Sequence, residues 1–123
     1  MQFMILCYDS EAETFAWSKE KDDQVMATLG AVQEKLAAQH RLGPVGRLMP
    51  TKSARTIRKG EKPVVMDGPF AETKEQLLGF YVIEAADMEG ALAVAQDLAK
   101  ASGSAGAFEV RPMMLFRANG PLG

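Results

Sequence analysis

A chain of 123 residues, 47% of them hydrophobic and 24% charged, has room for one domain with a real core and little room for a second. A net charge of −2, with basic residues scattered among acids, supplies no field that would hold a nucleic-acid backbone. The single cysteine, Cys7, excludes an internal disulfide and a multi-cysteine zinc site, and the single histidine, His40, excludes a histidine-only metal cluster.

Residues 2–8 read as a strand with two apolar faces: Phe3, Ile5 and Cys7 on one side, Met4, Leu6 and Tyr8 on the other. Such a strand needs cover on both sides. The run has no basic leader and no small-residue cleavage pattern, and nowhere do 18 apolar residues follow one another. A cytoplasmic protein without a membrane span is therefore expected. Residues 9–17 form a connector carrying Phe15 and Trp17 as large anchors.

Ser18 is positioned to cap a helix, with Glu20, Asp22 and Asp23 favourable in its first turns. Val25, Leu29, Val32 and Leu36 carry the helical spacing to about His40, whose charge would complement the C-terminal dipole. Gly30 costs about 1 kcal/mol relative to Ala inside a helix, which suggests close packing against another backbone. Gly43 and Pro44 are expected to stop the helix.

Residues 46–51 read as irregular, and residues 53–58 and 63–66 as a hairpin turned at Lys59-Gly60-Glu61. The charges around that turn (Arg55, Arg58, Lys59, Glu61 and Lys62) read as a solvated tip. Residues 80–85 form another strand. Asp87 caps a second helix with Met88, Ala91, Leu92, Ala95, Leu98 and Ala99 on its apolar face. Residues 101–107 read as a loop, 108–113 as a last strand and 117–123 as a flexible tail, leaving residues 1–116 as one domain.

The order β-α-β-β-β-α-β predicts an α+β protein. Its core is a ferredoxin-like βαββαβ unit with an added strand or a broken second one, an antiparallel sheet covered on one face by two helices. The other face would carry apolar side chains from the first strand and from Val64, Met66, Phe80 and Val82. Cover by a second copy through a two-fold axis predicts a homodimer.

The run "MDGPFAETKEQLLGFYVIEA", with "MQFMILCY" ahead of it and "FEVRPM" near the end, resembles the DGPF-type branch of the YCII-related superfamily over residues 1–114. The resemblance implies a ferredoxin-like unit that dimerises into an α+β barrel. It also implies a regulatory setting, since such proteins are often encoded beside extracytoplasmic-function sigma factors. A better-studied branch has a proposed His–Asp active-site pair. The matching positions fall near Leu29 or Gly30 and near Ala107, so neither partner is present in this chain.

The residues themselves allow two readings of the Asp67-Gly68-Pro69-Phe70 stretch. In the mechanical one, Asp67 accepts a hydrogen bond from the backbone N–H of Phe70 or Ala71, and Phe70 plugs into apolar cover. Thr73 with Gln76 then caps a single helical turn. In the functional one, Asp67, Glu72, Lys74 and Glu75 line the mouth of a cleft between sheet and helices. Asp67 would transfer protons there, because carboxylates beside an ammonium separate their pKa values. Phe70, Asp9 at the end of the first strand and Arg111 on the last complete the candidate ligand contacts. Arg111 would counter an anionic group or pair with Glu109. Cys7, with no base in view, reads as a small buried hydrophobe, and the eight methionines as adaptable packing.

Three functions follow in order: a dimeric module binding a small molecule near the DGPF loop, with a regulatory role; a cofactor-independent enzyme of isomerase, lyase or oxygenase type; and a protein-interaction module. No cofactor, metal, nucleic acid or membrane enters any of them.

Overall fold

Strand β1 (Gln2–Asp9) lies between β5 (Gln76–Glu84) and β6 (Ala107–Pro112), and β2 (Leu42–Arg47) adds to the far side of β5. The result, in a computed structural model that describes residues 1–117, is an antiparallel sheet of order β2-β5-β1-β6. Two long helices, α2 (Lys19–Ala38) and α3 (Met88–Ser102), connect its strands as the ferredoxin-like α+β pattern requires.

The expected alternation in β1 is present. Phe3 and Ile5 are buried, opposite Ile83 and Tyr81 on β5, and meet Val25, Leu29 and Leu36 of α2. From α3, Ala91, Val94, Ala95 and Leu98 close the same core; the two buried alanines leave no bulk between helix and sheet. Phe3, Ile5, Ile83 and Leu98 are at most 1% exposed and form its centre. On the outer face Met4 stands opposite Val82 and Leu6 opposite Phe80. Val82 is buried there, while Met4, Leu6 and Phe80 are only partly covered.

Both helix starts follow from their capping residues. Ser18 Oγ accepts from the Lys21 N–H at 3.1 Å, and Asp87 Oδ1 from the Gly90 N–H at 2.8 Å. The end of α2 corrects the sequence expectation. Gly43 and Pro44 do not stop it; they lie within β2. The stop is made by His40 in the left-handed region at φ +56°, with the His40 N–H donating to Ala37 O at 3.0 Å and the Arg41 N–H to Leu36 O at 2.9 Å. His40 thus acts through its backbone, at a position where glycine is the usual occupant.

Strand β2 escaped the sequence reading because two glycines and a proline look like breakers. It is tolerated because β2 is an edge strand, and its register shifts between Leu42 and Val45, around Pro44. Gly30 is a second correction: a Cβ there would meet nothing within 4 Å, so no backbone packs against it. Gly30→Ala is therefore expected to raise stability by about 0.5–1 kcal/mol through helix propensity. Thermal unfolding measures this, and a loss of stability would mean that a neighbour occupies the space.

Strands β3 (Arg55–Arg58) and β4 (Val64–Asp67) form the expected hairpin, but as a separate two-stranded sheet between β2 and β5 in sequence. Contrary to the sequence expectation, Val64 and Met66 do not contribute to the outer face of the main sheet; they sit in the hairpin, exposed, with Ile57 and Val65. Most of the expected tail, residues 118–123, lies outside the described residues. No helix among the described residues is long and apolar enough to cross a membrane.

Candidate functional site

The DGPF corner belongs to the hairpin. Asp67 ends β4 and pairs with Arg55 Nε at 3.1 Å, its side chain 91% exposed. It pairs across the strands, whereas the sequence reading had it accept from Phe70 or Ala71. Gly68 sits at φ +93°, where a side chain is strained. Its N–H donates to Ala54 O at 2.9 Å and its carbonyl accepts from Thr56 Oγ1 at 2.8 Å, so the corner is tied to β3 on both sides. Phe70 is 75% exposed, not plugged into cover, and lies 5.3 Å from the Arg58 guanidinium.

No helical turn follows. The Thr73 hydroxyl donates to Glu75 O, and Gln76, already in β5, donates through Nε2 to Ala71 O at 2.9 Å and Thr73 O at 3.3 Å. Glu72, Lys74 and Glu75 are exposed on this loop. Arg111, opposite Met4, is exposed on the outer face. The sequence candidates are thus dispersed over hairpin, loop and sheet edge, and among them only Asp9 lines the cavity described next.

That cavity, of about 180 Å³, lies between α2 and the inner face of the sheet, where β1 ends and β5 begins. It lies beside the point where the β1–β5 register shifts, between Cys7 and Tyr8. Its apolar wall includes Val25, Met26 and Leu29 from α2, Phe108 from β6, and Phe15 and Trp17 beside the short helix α1 (Glu11–Thr14). Tyr81, 7% exposed, and Gln33 bring polar groups into this lining.

The segment around α1 is fixed by a chain of side-chain hydrogen bonds. Asp9 Oδ1 accepts from the Ser10 N–H at 2.8 Å, Ser10 Oγ from the Glu13 N–H at 3.3 Å, and Ser10 O from Thr14 Oγ1 at 2.9 Å. The Glu11 carboxylate accepts from both the N–H and the hydroxyl of Thr51 at 2.6 Å, holding α1 to the turn that leads into the hairpin. Across the cavity, Arg47 of β2 reaches Asp22 of α2 at 2.9 and 3.4 Å. The hydrogen bond from Arg47 holds the Asp22 carboxyl below its ordinary pKa.

Electrostatically the cavity is quiet. Burial pushes the Cys7 thiol up to about 12, so it stays protonated at neutral pH and is a poor nucleophile, as the sequence suggested. Burial also raises the Tyr81 hydroxyl; nearby Cys7 adds to this and the Gln33 side chain, as a hydrogen-bonding neighbour, opposes it. Leu29 forms part of the wall. The arrangement can enclose and orient an apolar molecule; among the described residues it has no acid–base pair to act on one. No group of three or more potential metal ligands occurs among them either.

Sequence reasoning missed Tyr81, Gln33, Trp17 and Arg47 as site residues. A signal existed for two of them. Gln33 follows Leu29 by four residues, a polar residue close to the buried stripe of α2, and alternation from the buried Ile83 puts Tyr81 on the inner face.

Comparison with known proteins places these features in a family. The YCII-related domain matches residues 1–117. The chain is also 52% identical over 118 residues, 95% of either chain, to an uncharacterized protein of Rhizobium meliloti (strain 1021). With its ferredoxin-like sheet, two covering helices and a match along nearly all of its length, the chain belongs to the YCII-related family.

Proposed function

We propose that the protein is a homodimeric binding module of the DGPF-type branch that holds a small molecule in the cavity between α2 and the sheet and serves a regulatory role. The observation that carries the binding reading is the cavity itself: a half-open cleft between fixed elements, mostly apolar, with a few polar groups in its lining. The reading moves the site away from the DGPF loop, whose side chains stand in solvent. It also ranks binding above catalysis, since Asp67 is 91% exposed and faces Arg55 instead of an enclosed substrate.

The dimer is supported by what one copy leaves uncovered. Met4, Leu6 and Phe80 are partly exposed on the outer face, and Ile57, Val64, Val65 and Met66 are exposed on the hairpin. A two-stranded hairpin is marginal alone, and apolar area of this extent favours a partner surface.

Native mass spectrometry of the gently purified protein tests both parts, followed by the same sample denatured. The expected spectrum is a dimer carrying an additional mass that disappears on denaturation. A bare dimer removes the retained ligand and turns attention to protein partners; a monomer at micromolar concentration overturns the assembly.

A further inference from the structure

The chemistry of the cavity narrows what fits it. A volume of about 180 Å³ is close to the roughly 150 Å³ that accommodates benzene in a protein core, so one ring with a small substituent fills it. Its charged lining residues, among those described, are Asp9 and Arg47, and the fold already uses both. Asp9 accepts from the Ser10 N–H at 2.8 Å, and Arg47 is paired with Asp22 at 2.9 Å. A ligand carboxylate would find no free cation, since Arg47 is held by Asp22, and it would meet the Asp9 carboxylate at the same cavity; a charge buried without a partner is strongly disfavoured. Among the uncharged polar lining residues, the hydroxyls of Tyr8, Thr14 and Ser102 already donate to Glu109, Ser10 O and Ala99 O. Tyr81 on the sheet side and Gln33 on the helix side are hydrogen-bonding neighbours and offer donors and acceptors of either sense.

We propose that the ligand is a single-ring molecule without an acidic group, bearing one hydroxyl or carbonyl, which exchanges hydrogen bonds with Tyr81 and Gln33 while its ring rests among Leu29, Trp17 and Phe108. This assignment rests on the reading of the cavity as the binding site.

The test titrates the full chain with toluene, p-cresol and p-toluate, three probes of one shape that differ in polar group, followed by calorimetry and by NMR shifts of cavity residues. p-Cresol is expected to bind about fivefold to tenfold tighter than toluene, the worth of one buried hydrogen bond. p-Toluate is expected to bind at least about tenfold more weakly than p-cresol. In Tyr81→Phe, and independently in Gln33→Leu should the first variant fold poorly, the advantage of p-cresol shrinks to about twofold or less while toluene affinity holds. Binding of p-toluate as tight as that of p-cresol, or an undiminished p-cresol advantage in a folded variant, overturns the ligand class although the cavity binds. Failure of all three probes to bind removes the binding site itself, and the ligand class with it.

Discussion

Gly106→Ala is expected to destabilise the protein by about 3 kcal/mol or more, a large effect for adding one methyl group. The cause is distance. A Cβ on Gly106 would lie 2.0 Å from the carbonyl oxygen of Tyr8 and 3.0 Å from Asp9 Cα, so backbone must move, and backbone cannot rotate aside as a side chain can. Tyr8 pairs with Ala107 and lines the cavity, so the strain enters both the β1–β6 ladder and the binding site. Urea unfolding should show the midpoint falling with an unchanged slope. A cost under about 1 kcal/mol would mean that the two segments separate readily at this point.

Phe3→Ala is expected to remove about 3–5 kcal/mol, from lost burial and from the cavity left behind. Phe3 is 1% exposed and sits between strands and helices, so atoms from β1, β5 and both long helices surround the hole that truncation leaves. Chemical denaturation measures the loss. A cost below about 1.5 kcal/mol would mean that the surrounding core collapses into the space, contrary to the packing described.

The sequence exposed those parts of the fold that depend on local chemistry or simple periodicity. Ser18 and Asp87 announced their helices, and β1 and β5 declared two faces by alternation. Where the backbone took an uncommon route, sequence pattern misled. His40 ends a helix in a conformation that favours glycine, so the visible Gly43 and Pro44 were credited with the stop, and β2 vanished behind the same two residues.

The site was less legible for a different reason. The density of charge from Asp67 to Glu75 drew attention to a loop, yet that loop hangs from an inserted hairpin outside the main sheet. The cavity arises where Cys7, Leu29, Tyr81 and Phe108 converge from far apart in the chain. Only Asp9, at the end of a recognisable strand, could be placed beside it from sequence.

The position of β1 also governs how the molecule must assemble. Its partners begin at Gln76 and Ala107, so this strand, made well before either of them, has no neighbour to pair with until β5 and β6 have followed. Closing such distant pairs makes folding slow relative to helical domains of the same size. Until β6 arrives, the whole of one side of β1 is an unpaired strand edge, rich in Phe3, Ile5 and Leu6, able to pair with another unfinished chain. Crowded synthesis is therefore the stage at which this protein is most exposed to aggregation, and the last strand to form is the one that ends the hazard.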